Sequence, residues 1–286
     1  MTARPEVRLA TLSDIPGIAA VLAANDEALE EPGVDGYPYL EFLLGRGRVT
    51  VAESAGRIVG FGSAIRVGDA TVVSDLFVHP ANHGDGIGSE LLGAALLDDE
   101  PRMTFRSGDP RALPVYIRAG MRPWWPNLYV RAEPAAIERL PSTPSITVEP
   151  SGVDETAALS RSLTGIDRCA DFTFYAAQTN AAGFVVRHGG EIAGVGWTHH
   201  GGEGNGQELA HVSIADGADV AGAVASLFRA AAAAGNGSAW ACVPGPNPSL
   251  VPLLEAGARI FDRDTFCTSD PGWLDPERIL PNPGLL

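Results

Sequence analysis

At 286 residues with 45% hydrophobic and 19% charged side chains, the chain carries apolar material for two domains of about 100 to 150 residues and lies outside the composition of a disordered protein. A formal charge of −15 argues against counterion-release binding to a nucleic-acid backbone and favours cationic partners. Cys169, Cys242 and Cys267 form neither a CxxC pair nor a zinc pattern, Met1 to Pro16 lacks a basic stretch followed by an apolar one, and no run approaches the roughly 18 apolar residues of a membrane span, so a cytoplasmic protein is expected.

In chain order, Arg8 to Leu12 reads as a strand, and Ser13-Asp14 caps a helix with Ile15, Ile18, Ala19 and Leu22 on one face. An acidic connector from Asn25 to Pro38 carries Asp26, Glu27, Glu30, Glu31 and Asp35 and reads as a solvated loop or a cation-attracting rim. Val49 to Glu53 and Arg57 to Arg66 form a hairpin, and Thr71 to Val78 is a buried, β-branched third strand. A helix at Gly88 to Leu97, a strand at Met103 to Arg106, a short helix at Leu113 to Ala119 and a strand at Trp125 to Arg131 complete this stretch. Strands follow near Thr147, then at Gly183 to Arg187, Glu191 to Thr198, Glu208 to Ile214, Ser238 to Val243 and Arg259 to Thr268, with an alanine-rich helix from Asp219 to Ala233.

This order repeats. Gly56-Arg57-Ile58-Val59-Gly60-Phe61-Gly62 returns as Gly190-Glu191-Ile192-Ala193-Gly194-Val195-Gly196, and Arg118-Ala119-Gly120-Met121-Arg122 as Glu255-Ala256-Gly257-Ala258-Arg259. A third pair, Ile137 to Pro141 and Glu277 to Pro281, ends each copy in a proline-bounded tail. The expected fold class is therefore mixed α/β (α+β): two tandem domains, each a twisted, mostly antiparallel sheet flanked by helices. Their expected bounds are 1–140 and 145–270, with 271–286 as a proline-rich C-terminal tail.

The chemistry concentrates after the third strand, in Leu76, Phe77, Val78, His79, Pro80 and then His83, Gly84, Asp85, Gly86, Ile87, Gly88 and Ser89. Glycines let backbone N–H groups converge, and a helix N-terminus adds its positive dipole end, so strand, glycine loop and helix together form a pyrophosphate nest. The stretch lacks the acidic ribose ligand of a dinucleotide fold and the Gly-Lys-Ser/Thr of a Walker loop. It resembles the acetyl-CoA signature of the GNAT superfamily of acyltransferases, Arg/Gln-x-x-Gly-x-Gly/Ala after a hydrophobic-x-Val-x-Pro strand end, with His83 where the family usually has Arg or Gln. Ala112 to Met121 resembles the family's A-x-x-x-Tyr-x-x-x-Gly-Phe helix, with Met121 in place of Phe. The tandem layout is similar to that of two-domain acyltransferases of the mycothiol synthase type.

The resemblance implies acetyl-CoA as cofactor, a small, cationic amine as acceptor, and direct N-acetyl transfer in a ternary complex, without nucleic acid or membrane. It implies Tyr116 as the acid that protonates the departing thiolate, backbone N–H groups around Phe77 and Val78 for the oxyanion, and Asp75 as the nearest candidate base. A non-catalytic acyl-CoA sensor or partner-binding module, a longer acyl group and a hydroxyl acceptor stay open. In the second copy Ala215-Asp216-Gly217-Ala218-Asp219 replaces the phosphate loop and Leu253 stands opposite Tyr116, so that copy reads as structural or as a wall of the acceptor pocket. His199-His200 has no third ligand at metal spacing, and Trp124-Trp125 reads as pocket lining or packing.

Overall fold

A computed structural model describes residues 4–27, 36–96, 101–201 and 206–286. Contacts divide the chain into two units, Met1–Pro123 with Cys267–Asp270, and Trp124–Phe266 with Pro271–Leu286. No helix among the described residues is long and apolar enough to cross a membrane.

The first unit opens with β1 (Glu6–Leu9), α1 (Ile15–Ala23) and α2 (Pro38–Arg46). Asp14 precedes α1 and accepts from the Thr11 N–H at 2.8 Å, and Pro16 in the first turn presets the helical φ, leaving Ile15, Ile18, Val21 and Leu22 buried. α2 went unread in the sequence, where Pro38 closes the acidic connector. Proline at a first helical position instead starts this helix, and its Leu40 and Leu43 are buried. Of the connector's carboxylates, Glu30, Glu31 and Asp35 lie outside the described residues.

There follow β2 (Gly47–Ser54), β3 (Arg57–Val67), β4 (Ala70–Val78), α3 (Ile87–Ala95), β5 (Arg102–Arg106) and α4 (Ala112–Arg118). The sheet runs β1-β2-β3-β4-β5, antiparallel except for the parallel β4–β5 pair. Two irregularities shape it. A bulge leaves Ser74 unpaired, since Ser63 faces Asp75 while Ala64 faces Val73. The β4–β5 ladder ends at Val73 and Thr104, so among the described residues Leu76 to Val78 keep only β3 as a strand neighbour. The Ser269 N–H donates to the Arg102 carbonyl at 2.9 Å, which ties residues 267–270 to β5.

The second unit contains β6 (Arg122–Ala132), α5 (Pro134–Arg139), β7 (Ile146–Ser151), α6 (Val153–Thr164), α7 (Cys169–Ala176), β8 (Ala182–His188), β9 (Glu191–Gly201), β10 (Gly206–Ile214), α8 (Val220–Ala234), β11 (Ala239–Pro244), α9 (Leu250–Glu255), β12 (Arg259–Thr268) and β13 (Ile279–Leu280). Its strands are ordered β12-β6-β11-β10-β9-β8-β7, with β13 on β10. β6 begins at the last two residues of the first unit, and β12 ends in that unit. By contacts the units part at Pro123 and Trp124, within β6, which hydrogen-bonds along β11 from Ala132 to Asn127. Its core gathers Leu227 and Phe228 of α8 with Val130, Ala136, Leu140, Val212, Val243 and Leu253.

The duplication is visible in the backbone. β3 and β9 share one burial sequence along all 11 residues. The β2–β3 ladder slips between Ala52 and Glu53, and the β8–β9 ladder between Val186 and Arg187, at the corresponding place. Gly120 and Gly257 both have positive φ, where glycine avoids the Cβ clash, and behind them Met121 N–H bonds the Tyr116 carbonyl as Ala258 N–H bonds that of Leu253, both at 3.0 Å. The third sequence pair diverges: Pro134–Arg139 is helical, whereas Ile279–Leu280 is a strand. Nor do residues 271–286 hang free, for Leu280, Leu285 and Leu286 are buried.

Candidate active site

The end of β4 offers backbone groups without a strand to bind them. His79 N–H donates to the Val59 carbonyl at 2.8 Å, which makes 79 and 59 a hydrogen-bonded pair of the antiparallel ladder. Alternation then turns Phe77 toward β3 and turns the N–H and C=O of Leu76 and Val78 toward the edge that β5 has left. Of the two expected oxyanion donors, Val78 thus faces the open edge and Phe77 does not. The Phe77 ring stacks on Phe61 at 5.8 Å between centroids, and Leu76 packs against Ala64, Val73 and Leu92.

The loop after β4 is held by a short polar chain. His83 Nε2 lies 2.7 Å from the Val78 carbonyl, which also accepts from Asn25 Nδ2 at 3.2 Å. His83 Nδ1 meets Arg111 Nη1, and Arg111 grips Asp109 through Nε at 3.0 Å and Nη2 at 2.7 Å. The guanidinium holds the Asp109 carboxyl below its ordinary range. With Nδ1 accepting from Arg111, Nε2 donates to the Val78 carbonyl, so His83 braces the loop against the strand. Gly84 and Gly86 have φ of +96° and +80°, and nothing lies within 4 Å of where their Cβ atoms would stand. Gly86 caps α3 with no side-chain hydrogen bond, Asp85 and Ser89 are exposed, Gly88 lies against Val78, and Ile87 is buried beneath. The first N–H groups of α3 are left to solvent or an anion.

Beside this edge stand the titratable groups. Asp75 Oδ2 accepts from Ser63 Oγ at 2.8 Å and from Tyr39 Oη at 3.1 Å, and Ser63 Oγ accepts the Asp75 N–H at 3.0 Å. Burial raises the Asp75 carboxyl from 3.8 to about 6, against the lowering effect of the two hydroxyls. Tyr116, 5% exposed, hydrogen-bonds Thr104, whose hydroxyl donates to the Val73 carbonyl at 3.0 Å. Burial pushes its hydroxyl well above 10, with smaller upward contributions from Cys267 and Asp75, so Tyr116 keeps its proton. Cys267 is buried against Tyr116 and Met121, and its thiol is pushed up to about 11. The sequence analysis missed Ser63, Tyr39 and Thr104. The signal for Ser63 lies in cross-strand pairing, once the Ser74 bulge is known.

In the second unit the same positions hold other groups. The β9–β10 irregularity places Trp197 opposite His211, where Ser63 faces Asp75 in the first. His211 is buried with Nε2 2.7 Å from Ser213 Oγ, and desolvation lowers its pKa well below 6.5. Asp219 caps α8 by accepting from the Gly222 N–H at 3.0 Å, so its own carboxylate fills the helix terminus. Leu253 is buried where Tyr116 stands in the first copy. His199 is buried and His200 exposed, on opposite faces of β9, and no group of three or more metal-ligating side chains occurs among the described residues. Trp125 stacks on Phe266 at 4.4 Å while Trp124 is exposed, and no disulfide joins Cys169, Cys242 and Cys267.

Residues 45–120 match the family model described as Acetyltransferase (GNAT) domain. The fold is similar to that of a solved acetyltransferase-like protein from Pyrococcus horikoshii, with TM-score 0.72 and 14% identity over 100% of this chain and 96% of that one. It is similar to a GCN5-related N-acetyltransferase from Sphaerobacter thermophilus, with TM-score 0.61 and 15% identity over 100% of both chains. A tandem GNAT protein from the clavulanic acid biosynthesis pathway aligns with TM-score 0.60 and 15% identity, over 93% of this chain and 99% of that one. No curated protein matches by sequence.

Proposed function

We propose that this chain is a GNAT-type acyltransferase built as two tandem GNAT-like domains, whose first unit transfers an acetyl group from acetyl-CoA to a small, cationic amine by direct attack in a ternary complex. The observation that carries this reading is the meeting, in one unit, of an open β4 edge, a helix N-terminus led by two positive-φ glycines, and the pair Asp75 and Tyr116. The proposed bounds are a catalytic domain over 1–140 and a degenerate one over 145–270.

The first unit fits the cofactor chemically. Gly84 and Gly86 leave room where side chains would stand, and the uncapped N–H groups of α3 suit a pyrophosphate. Gly88 leaves one position of the first turn without a side chain, and His83 supplies bracing where the family usually has a cation. When bound, acetyl-CoA supplies an activated thioester. The chain's residues do the rest. A carboxyl near 6 is largely ionised at neutral pH yet basic enough to accept an amine proton, which is the range a general base needs, and Asp75 fills that role. The Val78 N–H, fixed by the ladder, donates to the carbonyl oxygen as charge develops there, at no reorganisation cost. Tyr116, kept protonated by burial, donates to the departing sulfur. A thiolate is a moderately good leaving group, so Tyr116 assists rather than decides.

The chain's charge of −15 and a carboxylate base favour a cationic acceptor. The test is release of free thiol from acetyl-CoA by the purified chain against panels of cationic, neutral and anionic amines. Acetylation of cationic members is expected. Thiol release with no amine, or only with anionic ones, would overturn the reading.

A further inference from the structure

The two copies differ most at the edge their central strands leave open. In the first unit β4 parts from β5 after Val73, and Leu76 to Val78 have no second strand neighbour among the described residues. In the second unit β10 likewise parts from β11 after Leu209 and Ala241. There, however, β13 enters the gap and pairs antiparallel with β10, Val212 opposite Leu280 and Ser213 opposite Ile279.

The register makes the correspondence specific. Gly60 faces Val78 in the first copy and Gly194 faces Ile214 in the second, while Ala215 N–H donates to the Ala193 carbonyl at 2.8 Å as His79 does to Val59. Ile214 is therefore the counterpart of Val78, with its N–H turned the same way. That N–H is spent: it donates to the Arg278 carbonyl at 3.0 Å, and the Ile214 carbonyl accepts from Arg278 Nη1 at 3.2 Å.

We propose that the segment Asp275–Leu286 is a built-in occupant of the second unit's groove, a peptide strand standing where the first unit would hold the amide-bearing arm of an acyl-CoA. It is anchored at both ends. Asn247 Nδ2 donates to the carbonyls of Pro276 at 3.0 Å and Glu277 at 3.1 Å, and Arg278 Nε donates to Asp275 at 2.7 Å. Further on, Asn282 Nδ2 donates to Glu208 at 2.9 Å, and the buried Arg168 Nη1 donates to the Leu285 carbonyl at 3.0 Å. Leu280, Leu285 and Leu286 are at most 1% exposed. What remains open is an acidic cleft of about 630 Å³ at the α8 terminus, lined by Asp219 and Glu255 as well as Arg139, whose Nε is held by the Ala256 carbonyl at 2.8 Å. Like charges there oppose a pyrophosphate. The second unit is thus closed to acyl-CoA by its own chain rather than merely lacking a loop.

The inference uses the reading of the first unit's groove as the acetyl-CoA site, and residue-resolved amide hydrogen exchange on the full chain separates the two. The Ile214 amide is expected to exchange slowly in the free protein and at an unchanged rate with saturating acetyl-CoA, whereas the Val78 amide slows only when acetyl-CoA is added. A Val78 rate that ignores acetyl-CoA counts against the functional reading alone. Fast exchange at Ile214 in the free protein, or slowing there on adding acetyl-CoA, overturns the occupant. Leu280→Asp, which removes the segment's buried anchor, is expected to speed Ile214 exchange at least tenfold while acetyl-CoA affinity stays unchanged. In a variant that remains folded, an unaltered Ile214 rate also refutes the proposal.

Discussion

Replacing Asp75, the proposed base, with Asn isolates the cost of holding a buried carboxylate in the folded protein. The carboxyl is raised from 3.8 to about 6 because burial disfavours its ionised form more than Ser63 and Tyr39 favour it. Between those two values the native state binds the proton more tightly than the unfolded chain does. Parent stability from this group is therefore complete below about 3.8 and is lost as pH rises through about 6. At about 1.4 kcal/mol for each tenfold change, the loss reaches about 3 kcal/mol at pH 8, an upper bound because the side chain keeps partial exposure. Asparagine carries no charge to desolvate and can still accept from Ser63 and Tyr39 through its amide oxygen. Asp75→Asn should be more stable than the parent at pH 8 by up to about 3 kcal/mol, with the gap closing toward pH 4, and slower by about 10² to 10⁴ in acetyl transfer. Urea titrations at pH 4, 6 and 8 measure the gap, and thiol release measures the rate. A variant less stable than the parent at pH 8, or a gap that does not change with pH, would refute the reasoning.

The parent's own rate should rise with pH through about 6 as Asp75 ionises, and a profile flat from pH 5 to 7 would remove Asp75 as the base. Tyr116→Phe should lower turnover about ten- to a thousandfold while calorimetry finds acetyl-CoA affinity nearly unchanged; a wild-type rate would take Tyr116 out of the mechanism. Gly86→Asp puts a carboxylate and a Cβ at a position of φ +80° ahead of α3, so acetyl-CoA binding should be lost with the fold retained by circular dichroism. Asp219→Ala removes the α8 cap and should cost about 1 kcal/mol, or about 2 to 4 °C in thermal melting.

What the sequence disclosed and what it hid follow from physical differences between the two kinds of feature. The glycine turn ahead of α3 was legible because positive φ at Gly84 and Gly86 favours glycine, and a preference for one residue type is written in one letter. The duplicate was legible for the same reason, through Gly56 and Gly190 and through Gly120 and Gly257, all at positive φ. Partners of Asp75 were not. A regular ladder that opposes Ala64 to Val73 would oppose Ser63 to Ser74, and only the bulge advances Asp75 into Ser63's reach. The α2 helix escaped notice because Pro38 reads equally well as the end of a loop and the start of a helix, and its Tyr39 was lost with it. β13 is two residues long in a proline-rich stretch, and what makes it a strand is a partner some 70 residues earlier.

The two copies also show what a shared frame obliges each to supply. Both central strands carry the bulge and the parting from the next strand, so both present backbone groups to a gap. A backbone N–H left buried and unpaired costs about 1 to 3 kcal/mol, so a copy that gives up its ligand must fill the gap or fold less stably. In the first unit the edge can stay open, because Val78, Gly84 and Gly86 are not buried and water can serve until a ligand arrives. In the second, Ile214 is 1% exposed with the C-terminal strand in place. There the Arg278 carbonyl is the acceptor, and the helix terminus that would have met a phosphate is closed by Asp219. On the proposed reading, an empty cofactor groove in the second copy and the C-terminal strand that fills it answer one requirement, that the polar edge of a parted sheet be satisfied either by a ligand or by the chain itself.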